Sequence, residues 1–484
     1  MNNFNFPPSR FETFSIRNAS WGSSLSRIMS ASIQAVEPGT ALSRKMRRDG
    51  DQLFIEDKSY DLSKINRVKV IGAGKAAYPM AAAAVKILHP HLEQVRVIVK
   101  EGHTLPEIPQ MLALAGGETD DPGQQTIKVE VFEAGHPIPD ENGINATTRL
   151  IDLISDSQPD DMVICLISGG GSALLVSPVE GVTLKDIQEL TAQLLASGAT
   201  INEINTLRKH LSLVKGGGLA RCASPARVAT LILSDVVGDP LDVIASGPTV
   251  PDNSTYGDAR AVLEKYNLHG IIPGAIARHV ERGLSRKIPE TPKPGDAVFD
   301  RVQNVIIGSN LLACQAALRQ AVREGFNSLL LTTWLEGEAV QAGRFLSGIL
   351  RQIASSSHPV ARPACIILGG ETTVTLHGDG LGGRNQEMAL SAVYDLDGLQ
   401  DSALITLATD GGDGPTEAAG AVVTGNTLQR ARSIGLEPGD FLKRNDAYHF
   451  FDQLGDLIKT GPTLTNVNDI AFLVAGNTDG VIPA

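Results

Sequence analysis

Cysteine is scarce, with four in 484 residues. No two of them stand as CxxC, so neither a thiolate zinc site nor a disulfide framework is indicated, and a reducing compartment is expected. Cys165 and Cys365 fall inside apolar runs and read as small buried hydrophobes. Long apolar runs are missing too: none approaches the roughly 18–20 residues that span a bilayer. Positive charge is in deficit, with a net charge of −12. That argues against a nucleic-acid partner, because phosphate backbones select basic faces. An acidic shell can still enclose a basic cleft for a small anion. The ten histidines show no HExxH-type spacing, and no GxxxxGK(S/T) loop occurs, which excludes a P-loop enzyme.

What the chain has instead is a recurring pattern. Six times an aliphatic, β-branched run stops at a small, turn-forming residue: VKVIGAGKAA (68–77), MVICLISGGGSA (162–173), VATLILSDVVGD (228–239), VQNVIIGSN (302–310), CIILGGET (365–372) and LITLATDGGDG (404–414). Unbroken apolar runs suit strands buried on both faces, as in a parallel sheet. Such sheets bind ligands at the carboxyl ends of their strands. Glycine there allows close backbone approach and can aim amide N–H groups at anions. Six such loops suggest an enzyme that handles phosphate.

At 484 residues the chain exceeds one core. Residues 285–297 are polar and carry three prolines, which marks a domain boundary. The expected organisation is an N-terminal tail at 1–29, an α/β domain at 30–290 and a second, smaller α/β domain at 300–478. Arg10, Arg17, Arg27 and several serines, against the single acid Glu12, give the first 36 residues a weak likeness to a mitochondrial transit peptide. A tail of a cytoplasmic protein is the plainer expectation.

Gly72-x-Gly74-x-x-Ala77 after a strand matches the dinucleotide fingerprint. Its required acid, after the next strand, is met only loosely by Glu101. Lys75 stands where a helix dipole disfavours a cation. Three readings stay open for it: a phosphate contact, an exposed structural lysine, or part of a nicotinamide site. Ser168, Gly169, Gly170, Gly171 and Ser172 can form an anion nest or a plain tight turn. Asp235, Asp410 and Glu371 follow strand-like runs, where an acid can ligate Mg²⁺ or act as a base. The segment 378–387 is dense in glycine and ends in Arg384, Asn385, Gln386 and Glu387, with the arginine suited to transferring phosphoryl oxygens. Arg208, Lys209, His210 and Lys215 either face an anionic substrate or decorate a helix C-terminus.

Taken together, GAGKAA, AGHPIPDENG, SGGGSALL, NTLRKHLSLVKGGGLA, LSDVVGDPLDVIASGPTVPD, GGETTVTLHGDGLGGRNQE, ATDGGDGPTEAAG and TGPTLTNVND resemble the class II glycerate kinase (glycerate 2-kinase) family over roughly residues 30–475. The resemblance implies a Rossmann-like N-terminal domain, a smaller C-terminal MOFRL domain and an active site between the two. It implies transfer of the ATP γ-phosphate to the 2-hydroxyl of D-glycerate, giving 2-phosphoglycerate, with Mg²⁺. Lys75 and Arg384 fall on the family's basic pair. Asp235, Glu371 and Asp410 fall on its acidic positions, with Asp235 as a candidate base and Asp235 and Asp410 as candidate Mg²⁺ ligands. Asn466 falls on a polar position of the last motif. Glycine is usual where this chain has Leu464, so the geometry of that loop is an open question. Bacterial members have been labelled hydroxypyruvate reductases, so an NADH-linked reductase is one alternative and a non-catalytic sugar-phosphate-binding protein another. Only small-molecule partners are expected, with no nucleic acid or membrane, and a homodimer is left open.

Overall fold

The computed structural model describes residues 6–102 and 127–477. The Gly/Pro-bearing stretch up to residue 123 lies outside the described residues, apart from its first positions. The chain divides into two units. The first joins Ala41–Ser234 to Asp239–Ile307, and the second takes the residues up to Thr40, Asp235–Gly238 and those from Gly308 onward. Among the described residues no helix is long and apolar enough to cross a membrane.

The first unit opens with an antiparallel meander of β1 (Met46–Asp49), β2 (Gln52–Ile55) and β3 (Lys58–Asp61). Its main sheet contains β4 (Val68–Ala73), β5 (Leu92–Lys100), β6 (Lys128–Ala134), β7 (Met162–Ile167), β8 (Arg227–Leu233) and β9 (Val302–Gly308), in the order β6-β5-β4-β7-β8-β9. The pairs from β6 through to β8 are parallel. Every residue of β4 and β7 is buried, as their unbroken apolar character requires. Counted from β4, this is the doubly wound order 3-2-1-4-5-6. The order reverses between β4 and β7, and ligands bind at such a switch point.

A helical layer follows β7. Helices Leu184–Ala196, Ile201–His210, Tyr256–Lys265 and Gly274–Leu284 share a core that includes Leu190, Leu194, Ile204, Leu207, Leu263 and Ile276. Three of these helices start at reciprocal capping boxes: Thr183 with Asp186, Thr200 with Glu203, and Thr255 with Asp258. Each box satisfies two otherwise orphaned N–H groups, and loss of such a cap costs about 1 kcal/mol.

The second unit has a mixed sheet of β10 (Asn327–Leu335), β11 (Ala364–Gly370), β12 (Ser402–Ala408), β13 (Gly420–Thr424), β14 (Leu457–Ile458) and β15 (Asp469–Ala475), ordered β10-β11-β15-β12-β13-β14. Only β10 and β11 pair in parallel; the others are antiparallel. The α/β class expected for the second domain holds, although its unbroken apolar runs, which suit a parallel sheet, here pair mostly antiparallel. Burial on both faces makes a strand uniformly apolar whatever its direction, so the pattern carries no information about polarity.

Three further expectations are corrected. The run at 302–310 supplies β9, the edge of the first sheet, and does not open the second domain. The proline-rich segment before it is a loop of the first unit, held by Thr291 Oγ1 donating to Asp252 (2.9 Å) and Lys293 Nζ donating to Thr291 Oγ1 (2.7 Å). The N-terminal residues are no loose tail from residue 6 onward. Helices Phe14–Asn18 and Gly22–Ala35 belong to the second unit, and Phe6, Phe11 and Trp21 are buried in it. Helix Gly22–Ala35 packs on helix Asn310–Arg323, with buried serines at 24, 26, 30 and 32. The basic, serine-rich composition has a packing explanation: Arg27 pairs with Glu324 (2.6 Å), Arg10 donates to the Thr460 carbonyl and Ser15 donates to Asp456.

Candidate active site

In the first unit the switch point is built from two loops laid against each other. The loop after β4 sends Gly74 N–H to the Ile98 carbonyl, Lys75 N–H to the Gly169 carbonyl and Ala77 N–H to the Gly74 carbonyl, while Ala76 N–H donates to Ser168 Oγ. Gly74 has φ +135°, and a Cβ there would lie 2.1 Å from Ser168 Oγ. Only glycine fits this position, on both conformational and steric grounds. All four amides are thus consumed by protein, so this fingerprint loop does not cradle an anion. Gly72 lies within β4 and serves close packing against Leu166 and Val97.

The free amides lie in the neighbouring loop, the candidate anion nest. Ser168 N–H and Gly171 N–H are used internally, by the carbonyls of Ala73 and Ser168. The amides of Gly169, Gly170 and Ser172 find no acceptor among the described residues. Clustered free amides of this kind are suited to anionic oxygens. The half-buried Lys75 is tied to the nest through its own backbone, and its ammonium has no partner among the described residues. Lys69, six residues earlier, shows the contrast: its buried ammonium donates to the Leu153 carbonyl (2.7 Å) and to Asp156 (2.5 Å).

Behind the nest, Lys215 donates to the carbonyls of Ser172 (2.6 Å) and Leu175 (2.9 Å). It clamps the end of the short helix Gly171–Leu174, so its expected role as a direct ligand gives way to a supporting one. Burial, with a contribution from the Arg208 charge, pushes its pKa down to about 7.

In the second unit, topology gathers the acids. Strands β11 and β12 both run antiparallel to β15, so their carboxyl ends meet the start of β15. Asp469 stands in register with Gly370 on one side and Ala408 on the other. Glu371 and Asp410 follow those two residues within two positions. Arg384 spans the group: Nε donates to Asp469 Oδ2 (2.6 Å), Nη2 to Asp469 Oδ1 (3.3 Å) and Nη1 to Glu371 Oε1 (2.6 Å). A guanidinium has five donors, so one hydrogen on each Nη remains for a ligand. Burial works against the Arg384 charge, but Asp469 and Glu371 outweigh it and hold its pKa above the ordinary value. Burial pushes the Asp469 carboxyl up to about 7 despite the opposing Arg384.

Arg384 opens the helix Arg384–Ser391, whose N-cap, Gly383, has no side chain to cap with. Asp413 does so from outside, accepting from Asn385 N–H (3.1 Å) and Gln386 N–H (2.8 Å). A Cβ on Gly383 would lie 2.3 Å from the Asp413 carboxyl carbon, so the bare backbone is what admits this cap. Burial raises the Asp413 carboxyl to about 6. The glycine-rich segment before the helix is pinned: His377 and Gly378 donate to Asn445, and Leu381 donates to Asp446.

Several predicted binding residues also hold the local structure together. Ser168 is buried with its hydroxyl accepting from Ala76. Asn385 is buried, and its amide donates to Asp413 (3.3 Å). Asn466 accepts from Asn468 N–H (3.1 Å) and shapes a turn. Asp235 lies two residues past β8 and is half-buried. Asp469 was missed because it precedes its apolar run, whereas the acids singled out follow theirs.

Leu464, beside Asn466, has φ +64°. A left-handed conformation costs a non-glycine residue roughly 1–2 kcal/mol. Glycine would remove that strain but lose about 0.4–1 kcal/mol through the unfolded chain. Leu464→Gly also gives up a half-buried side chain worth about 1 kcal/mol, so stability is expected to change by less than about 1 kcal/mol, seen as a nearly unchanged urea midpoint.

Residues 24–281 match a family model described as a domain of unknown function (DUF4147), and residues 364–469 match the MOFRL family. A D-glycerate 2-kinase from Thermotoga maritima is 44% identical over 84% of this chain and 91% of its own length. An Agrobacterium vitis protein provisionally named a hydroxypyruvate reductase is 42% identical over 85% of this chain and 87% of its own. A crystal structure of glycerate kinase from Thermotoga maritima superposes with a TM-score of 0.78 at 41% identity, covering 93% of this chain and 98% of the other. Strand order, nest and paired matches converge: the chain belongs to the glycerate kinase family with a C-terminal MOFRL region.

Proposed function

We propose that this chain is an ATP-dependent glycerate 2-kinase, transferring the terminal phosphoryl of ATP to the 2-hydroxyl of D-glycerate. The observation that carries the reading is the partnerless Lys75 ammonium beside three free amides at the switch point. That arrangement is built for phosphate, and phosphoryl transfer depends on positioning and charge neutralisation. Lys75 and the nest hold phosphate oxygens. Arg384, fixed by two carboxylates, offers its remaining hydrogens to the transferring group. Asp235 is the candidate acceptor of the hydroxyl proton. The names of the glycerate kinase relatives support the same reaction.

Magnesium fits this donor set. Among the described residues no three His, Cys, Asp or Glu side chains stand together as a metal cluster. Mg²⁺ in kinases is usually held by one or two carboxylates plus substrate phosphates. Asp410 is half-buried; its Oδ1 accepts from Gly412 N–H (3.2 Å), and its other oxygen is left for a hard cation. Asp410 and Asp235 are the residues that would hold it, and its chemistry there would be to neutralise phosphate charge.

The reductase alternative needs a pyrophosphate seated on the first loop, whose four amides are already engaged. Purified protein given ATP and D-glycerate should yield ADP and 2-phosphoglycerate stoichiometrically. Oxidation of NADH by hydroxypyruvate with no ATP consumption would reverse the assignment, and formation of 3-phosphoglycerate would correct the position of transfer.

A further inference from the structure

The helix Ile201–His210 carries a donor patch that the phosphate site does not use. Its Thr200 capping box fixes the start, and the buried Asn205 and half-buried Arg208 lie three residues apart on one face. The neighbouring Lys209 and His210 are committed. Lys209 lies 3.4 Å from Asp242 and 3.5 Å from Asp252, and His210 Nε2 meets Glu290 at 3.1 Å. Arg208 has no hydrogen-bond or ion-pair partner among the described residues. Burial alone moves its pKa, downward, and no carboxylate acts on it. A largely desolvated guanidinium with nothing to pair with is costly.

Asn205 is held by a chain of hydroxyls. Ser246 Oγ donates to Asn205 Oδ1 (3.0 Å), and Ser172 Oγ meets Ser246 Oγ at 2.8 Å. With the Ser246 hydrogen spent on Asn205, Ser172 must be the donor in that second bond. The Asn205 amide nitrogen is left without an acceptor among the described residues. Ser246 is held for this chain at φ +60°, next to Ala245 at φ +50°, a conformation that costs about 1–3 kcal/mol per residue and clusters at ligand clamps. The chain leads directly to Ser172 in the anion nest.

We propose that Arg208, with Asn205 one turn before it, binds the carboxylate of the hydroxy acid while the nest takes phosphate. This rests on the kinase reading above. A planar guanidinium fork matches a planar two-oxygen anion bidentately, and the acid's carboxylate is the one such group among the reactants. The Ser172–Ser246–Asn205 chain sets the register between the two anion sites.

Arg208→Lys and Arg208→Met test this. Each should raise KM for D-glycerate at least 30-fold while KM for ATP stays within twofold. Calorimetric binding of D-glycerate alone should fall in parallel, and the thermal midpoint should not drop, because no protein partner is lost. The methyl ester of D-glycerate, which lacks the anion, should be far poorer than the acid for the parent protein and nearly equal to it for Arg208→Met. An unchanged KM for D-glycerate, or a rise confined to ATP, overturns the proposal. If the parent protein phosphorylates no glycerate, the kinase reading fails instead.

Discussion

Arg384→Ala is expected to lower kcat by roughly 10²–10³-fold, the effect of removing a preorganised donor to developing charge. It should also cost stability, in a pH-dependent way. Among the described residues Arg384 is the only cation bonded to Asp469, which is buried at the start of β15. Breaking a buried pair by removing one partner costs about 3–5 kcal/mol, and because the Arg384 side chain is 31% exposed solvent screening reduces this to about 2–3 kcal/mol. The sign follows from Asp469. Its folded pKa is raised to about 7, so the stability it contributes is fully present below the ordinary carboxyl range and is lost as pH rises through 7. Without Arg384 the carboxyl rises further. At pH 5 it is neutral in both proteins and the gap is small; at pH 8 the gap is widest. Urea titrations at pH 5, 7 and 8 read this directly. The double variant Arg384→Ala/Asp469→Asn should show no such pH trend. A gap independent of pH would mean that Asp469 is not the group left stranded.

How far the fold was legible depended on what each pattern physically encodes. The runs at 68–73 and 162–167 announced buried strands, and the loops after them announced a ligand site. Both follow from local chemistry: apolar continuity for burial and glycine for close approach. Strand direction in the second unit was not legible, because β11, β12 and β15 are equally apolar and differ only in which neighbour they find. The same blind spot hid Asp469. An acid before a run sits at the sheet's ligand end only when that strand is reversed, and reversal is a tertiary fact. At the N-terminus the arginines and serines behind the weak likeness to a targeting segment include packing residues, with Ser15 on Asp456 and Arg27 on Glu324.

The candidate site was legible in its charges and less so in its hydrogen bonds. Lys75 stood out because a helix dipole opposes a cation at its place, and Arg384 because it ends a glycine-dense segment and suits phosphoryl oxygens. Which amides are free required the structure. The glycine fingerprint of the first loop looked like the cradle, yet it is spent on holding the second loop in place. Lys215 looked like a ligand from its neighbours in sequence, yet two carbonyls capture it.

Lys75→Ala should separate activity from stability more cleanly than any other change. Lys75 has no acceptor among the described residues, and it precedes the helix Ala77–Leu88, whose positive end repels it. Folding therefore gains nothing from the ammonium, and its removal should leave the urea midpoint unchanged or raise it by up to about 0.5 kcal/mol equivalent. Bound phosphate reverses the balance, because the same repulsion is relieved when an anion settles on the adjacent amides. The free protein thus tolerates an unfavourable cation that only the loaded site repays, a common stability–activity trade-off. On this basis kcat should fall roughly 10²–10³-fold, with substrate saturation still measurable. A Lys75→Ala protein that turns over normally, or one that loses stability instead of rate, would make Lys75 the structural lysine of the alternative reading.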